Sequence, residues 1–167
     1  MEKLKTIKSL PFEIAQLLGD NVELQQLLVD DNNNLSNNFE KWNLSDLLEK
    51  EYISFAPVVD NNIKNNTRNT FLIINLEEID FISRDDNMVV SGAIFIGTDK
   101  QHSMLSGSRL RLVEMISQIY DLLNNYKFSA AGTVNMEYAT FVNFSEYVFG
   151  YKIVFKVVEQ EIRKAEI

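Results

Sequence analysis

The sequence has no cysteine, one histidine, two prolines and six glycines in 167 residues. Without cysteine there is no disulfide, no thiolate metal site and no cysteine nucleophile. A single histidine cannot form the histidine clusters that hold zinc or non-haem iron. Basic residues number 16 against 24 acidic, and the net charge of −8 argues against a protein that grips DNA phosphates over its whole surface. It does not argue against one that surrounds DNA without gripping it. No run approaches the ~18 apolar residues of a membrane span. The N-terminal stretch MEKLKTIKSLPFEIAQLL is interrupted by Glu13 and Gln16, so no signal peptide is expected and a cytosolic setting is.

What is present is a core. Hydrophobic residues make up 46% of the chain, and a chain of this size buries roughly 70% of its unfolded surface. One domain over 1–167 is expected. Asparagine is in excess, 18 residues, clustered in DDNNNLSNN (30–38) and DNNIKNNTRN (60–69). An AT-rich coding bias accounts for the excess, and asparagine's tolerance of turns makes both clusters loops.

Leu10, Ile14, Leu17 and Leu18 recur at helical spacing, with Ser9 as cap and Pro11 in the first turn. Val22, Leu24, Leu27 and Leu28 suggest a second short helix, and Asn43 or Ser45 caps a third over Leu44, Leu47 and Leu48. From residue 70 the period becomes two. TFLIINLEEI (70–79) and MVVSGAIFI (88–96) form a hairpin turning at 84–87. A mobile Gly/Ser loop occupies 97–108. Leu112, Val113, Ile116, Ile119, Tyr120 and Leu123 make one apolar stripe on a central helix. A second hairpin closes the domain: Val134, Met136, Tyr138, Thr140, Val142 and Phe144 share one face, then Phe149 to Val157 alternate with Gly150 to Val158. The expected fold is α+β, a small antiparallel four-stranded sheet of two hairpins, packed on one face by the N-terminal and central helices. Residues 30–69 form an irregular Asn-rich insert, 70–158 the core, and 159–167 a polar tail with isolated Ile162 and Ile167.

Chemistry is hard to assemble. His102 lies beside Asp99 and Ser103 in one loop, whereas triads draw on separate rigid elements. Asp80, Asp85 and Asp86 lack EF-hand spacing. Adjacent carboxylates such as Glu77-Glu78 point to opposite faces of a regular strand. There is no GxGxxG, P-loop or HExxH. No catalytic residue, cofactor or metal is therefore expected. Contact with other chains remains. Arg109 and Arg111 stand at the start of the central helix, where positive charge disfavours the dipole, as intersubunit ion-pair candidates against the simpler reading of solvated charges. Arg68 lies in the second Asn cluster. Lys152 and Lys156 share a mixed sheet face with Val154, Val158 and Phe141.

The stretch 70–158 carries a resemblance. A strand (TFLIINLEEI), a strand (VVSGAIFI), a polar loop, a helix opening Arg-Leu (RLRLVEMISQIYDLLNN) and a last strand YVFGYKIVFKVV come in that order. Together with an N-terminal helix and a short YISFAPVV segment, this order resembles the tail terminator and tail-completion (neck) proteins of tailed bacteriophages. The resemblance implies an α+β subunit of a homo-oligomeric ring, a hexamer or a dodecamer, set between portal and tail. It implies portal, connector or tail proteins as neighbours, and genomic DNA passing through the lumen without sequence-specific binding. It implies residence in the virion, with the host cytoplasm as the place of assembly, and neither catalysis nor cofactor. By position it offers loop 97–108, with His102, and the hairpin tip at Asp85-Asp86 as contacts with neighbours or channel. The insert at 30–69 departs from the family pattern. The competing reading is a non-viral α+β interaction or ligand-binding module, which predicts a concave apolar pocket.

Overall fold

The structure is a computed structural model that describes residues 2–55, 69–82, 87–128 and 131–158, with the side chains of 2–6, 82 and 87 outside that description. Helix α1 (Glu2–Gly19) buries Ile7, Leu10, Ile14, Ala15 and Leu18 along one stripe. It runs through Pro11 instead of starting there, because burying Ile7 and Leu10 offsets the ~3 kcal/mol an interior proline costs. Helix α2 (Val22–Val29) starts at Asn21, whose side-chain oxygen accepts from the Leu24 N–H at 2.7 Å. Asn43 caps the short α3 (Leu44–Glu49) in the same way, through Asp46 N–H at 2.8 Å.

The strands are β1 (Ile53–Ser54), β2 (Thr70–Ile82), β3 (Asn87–Asp99), β4 (Met104–Leu105), β5 (Arg109–Leu110), β6 (Lys127–Phe128), β7 (Gly132–Asn143) and β8 (Val148–Val158). Helix α4 (Arg111–Leu123) precedes β6. The α+β class holds, but the small four-stranded antiparallel sheet does not. The main sheet has six strands in the order β1-β2-β3-β8-β7-β6, and it is mixed because β1 runs parallel to β2. It curls like a half-barrel, and β4 and β5 form a separate ribbon. The two added edge strands are two residues long, too short for any periodicity to announce them.

Leu72, Ile74, Val90, Ile94, Ile96, Ile153, Phe155 and Val157 face the helices and form the core with α1, α2 and α4. On α4 the buried residues are Arg111, Leu112, Met115, Ile119 and Leu123. Val113 and Tyr120, expected in the stripe, are about half exposed, and Met115 takes the place between. The supposedly mobile 97–108 loop is largely structured: Gly97–Asp99 belong to β3, and Met104 and Leu105 pair with Leu110 and Arg109.

Two bulges break the expected alternation. Leu76 pairs with Gly92 but Glu78 with Ser91, leaving Glu77 without a partner on β3. Met136 pairs with Phe155 but Tyr138 with Val154, leaving Glu137 without one on β8. Each bulge flips the parity of the strand residues beyond it. Val134 and Met136 therefore share the helix side with Ala139 and Phe141, not with Tyr138, Thr140 and Val142.

Candidate functional site

The main sheet is curled, and two aromatic rings close over one end of its helix-free face. Across three strand spacings, ~14 Å in a flat sheet, the rings of Phe71 (β2) and Phe144 (after β7) meet edge-on at 5.2 Å. They lie over Gly97 and Gly150, which face each other directly between β3 and β8. Phe71, Ile73, Ala93 and Val154, on this face, are also buried. Both bulge glutamates turn onto the same face and pair with β8: Glu77 with Lys152 at 2.6 Å and Glu137 with Lys156 at 2.8 Å. The hydrogen bond and charge of Glu137 hold the Lys156 ammonium above its usual pKa. Lys152 also lies 5.7 Å from the centre of the Phe95 ring.

Among the described residues the sheet's edges are only half covered. Strand β1 reaches Leu72 and Ile73 on β2, and β6 reaches Gly132 and Thr133 on β7. Val134 exchanges hydrogen bonds with Asn125 and Tyr126, and Met136 N–H donates to the Asn124 side chain. Beyond those points no described residue pairs with the outer edge of β2 from Asn75 or of β7 from Glu137. Residues 137–141 of β7 are exposed on both faces. These open halves hold several of the exposed large apolar residues: Ile79 and Phe81 (63%) on β2, Tyr138 (59%) and Phe141 (54%) on β7. Phe141 stacks on Phe149 and meets Tyr151 edge-on.

The other predicted residues are scattered. Arg111 is not at the surface: it is 0% exposed. Its Nη1 donates to the carbonyls of Leu27 and Asp30 at 2.7 and 2.8 Å, Nη2 to Asn32 at 3.0 Å and Nε to His102 at 2.7 Å. Burial lowers its pKa, opposed by the charges of Asp30, Asp31 and Asp99. His102 is half-buried, with Nδ1 2.7 Å from Asp99 Oδ1 and Nε2 3.3 Å from the Asn69 side-chain amide. Arg111 and His102 thus meet, but as a staple between α2 and the β3–α4 connection. Arg109 is exposed and 3.9 Å from Glu114. Arg68, Asp85, Asp86 and Ile162 lie outside the described residues.

The staple also orders the first Asn cluster. The Asp30 carboxylate accepts from the N–H groups of Asn32 and Ser36, while Ser106 N–H donates to Asn33 O and its hydroxyl to the Asn34 side chain. Buried Gln25 clamps the far end, donating to Gly19 O and Trp42 O and accepting from Trp42 N–H.

Among the described residues no group of three or more His, Cys, Asp or Glu could hold a metal ion, and no described helix is long and apolar enough to cross a membrane. An open groove of about 500 Å³ runs between Phe12, Gln16, Lys41, Trp42 and Leu48. Sequence reading missed the bulges at Glu77 and Glu137, whose only signal is a charged residue inside an otherwise apolar strand. No family model matches the chain, and no curated protein matches it.

Proposed function

We propose that this chain is a structural subunit of a homo-oligomeric ring in the neck of a tailed phage particle, joining portal-side and tail-side proteins and letting DNA pass. The observation that carries the reading is the sheet itself, curled, with half of each outer edge unpaired among the described residues and with apolar side chains exposed there. An exposed edge is a template for pairing with another chain. Identical subunits joined head to tail close into rings.

Charge supports the DNA part of the reading. On the helix-free face Lys152 and Lys156 are matched by Glu77 and Glu137, which leaves exposed Glu78 and Asp80 as a net negative excess. Facing a lumen, that excess repels phosphate and lets DNA slide. The test is the assembly state of the purified chain, by light scattering and electron microscopy, alone and with the portal and tail proteins encoded beside it. Rings with an acidic lumen are expected. A chain that stays monomeric under all these conditions, or a ring with a basic inner wall, overturns the reading.

A further inference from the structure

We infer that the subunits pair edge to edge, with β7 residues 138–143 of one copy running antiparallel to β2 residues 77–82 of the next, so that Phe141 lies opposite Ile79. This rests on the ring reading and specifies its interface.

The polarity fits. Strands β2, β3, β8 and β7 alternate in direction, so β2 of a copy rotated about an axis along the sheet meets β7 antiparallel. The hydrogen-bonding groups also fit. Val134 and Met136 turn their main-chain groups outward. Counting by two and through the bulge at Glu137, Ala139, Phe141 and Asn143 do the same. On β2, Leu72 N–H points outward to Tyr52 O, and the same count through Glu77 turns Leu76, Ile79 and Phe81 outward. Pairing Phe141 with Ile79 places Ala139 opposite Phe81, small against large on the helix side of the joined sheet.

Charge selects this pairing over two-fold alternatives. The β2 segment EEIDFI (77–82) carries three acids, of which Glu77 is paired with Lys152, whereas YATFVN (138–143) carries no charge. Two β2 edges side by side would set Glu78 and Asp80 against their counterparts, and like charges across strands destabilise. Two β7 edges would satisfy each other but leave both β2 edges open in the resulting dimer.

The geometry also favours closure. Through the registers, Phe141 is level with Leu72 of its own chain. Seating it beside Ile79 of the next copy shifts neighbours by about six strand rises, ~20 Å, across about four strand spacings, ~19 Å. The strands then incline at about 45°, at the upper end of what closed barrels adopt. Because the sheet is already curled, each added copy continues the same curl.

The absence of native cysteine makes the test clean. Ile79→Cys and Phe141→Cys chains are mixed, allowed to assemble and oxidised, with exposed Val113→Cys on α4 as control. The expected result is a disulfide joining the two variants in the mixture, little product from either variant alone, and none with the control. Phe141→Pro removes an outward N–H without touching the β8 ladder. It is expected to lower the assembled fraction at least tenfold while the subunit's thermal midpoint stays within a few degrees. Rings that form without the mixed disulfide, or a Phe141→Cys self-link of equal yield, overturn the pairing and leave the ring reading standing. Failure of the unmodified chain to assemble overturns both.

Discussion

Lys152 on β8 reaches over the Phe95 ring to the carboxylate of Glu77 on β2, 2.6 Å away, so that one ion pair spans the intervening strand β3. Glu77 follows helix-side Leu76 and so shares the helix-free face with Lys152, and the bulge there brings Glu78 onto that face as well. On the other side of β8, Lys156 pairs with the second bulge glutamate, Glu137, on the adjacent strand β7.

The lysine stem contributes more than the charge. Both Lys152 and Glu77 side chains keep about a third of their surface exposed, so the Coulomb attraction is screened. Glu77→Gln is expected to cost about 0.5 kcal/mol. Lys152→Ala also removes the methylenes over Phe95 and is expected to cost roughly 1–1.5 kcal/mol. Urea unfolding at low and high ionic strength separates the two parts. Salt abolishes the first effect and spares most of the second, and equal costs at both ionic strengths would refute the division.

Arg111 is the side chain whose loss is expected to matter most. Its guanidinium is fully buried and satisfies four carbonyls on two separate segments. Arg111→Met keeps the bulk but leaves these acceptors without their donors, an expected loss of about 3–5 kcal/mol. Arg111→Lys keeps the charge, yet an ammonium cannot reproduce the fork, and about 2 kcal/mol is expected. Amide exchange at residues 30–36 rises in both variants before global unfolding if the staple orders that segment. Uniform protection loss across the fold would refute the assignment.

Two facing glycines respond differently to the same change. A Cβ on Gly150 would lie 1.8 Å from the Ile96 carbonyl oxygen, which is backbone and cannot rotate away. Gly150→Ala is expected to disrupt the β3–β8 pairing. A Cβ on Gly97 would meet the Phe71 ring at 2.4 Å, and a side chain can be exchanged. Phe71→Leu is therefore expected to recover at least half of the thermal midpoint lost in Gly97→Ala and none of that lost in Gly150→Ala. Thermal melts of the two single and two double variants decide it.

The four long strands and the four helices were readable because each buries enough apolar surface to impose a period. Asn43 was readable as a cap because capping needs only local chemistry. The edge strand β6 was not, since two residues carry no period, and the extended stretch that holds β1 gave no sign that it joins the sheet. The bulges at Glu77 and Glu137 were not, because one extra residue changes which face a strand presents without changing its composition. Arg111 misled for a related reason. An arginine at a helix start reads as a solvated charge unless the carbonyls that surround it are known, and Leu27, Asp30 and Asn32 are about eighty positions away in sequence. Of the candidate interface, the lysines were legible, while the extent of each open edge depends on where neighbouring strands stop.

Acid is expected to release the segment that Arg111 and Asp30 hold together. Burial pushes the Asp30 carboxyl up, but hydrogen bonds from the N–H groups of Ser36 and Asn32 and from the Asn32 and Gln26 side chains outweigh it and hold it below the usual 3.8. A carboxylate with a lowered folded pKa stabilises fully above its unfolded value, and that contribution fades as pH falls through the folded value. Protonation also removes the nearest negative charge acting on buried Arg111, so the two effects run in the same direction. Between about pH 5 and pH 2, a window set by the unfolded carboxylate range, the unmodified chain is expected to lose stability more steeply than Asp30→Asn. The Ser36 amide resonance should shift over the same interval. An equal or steeper acid loss in Asp30→Asn would mean that other carboxylates govern the transition and that the Asp30 hydrogen bonds do not couple to folding.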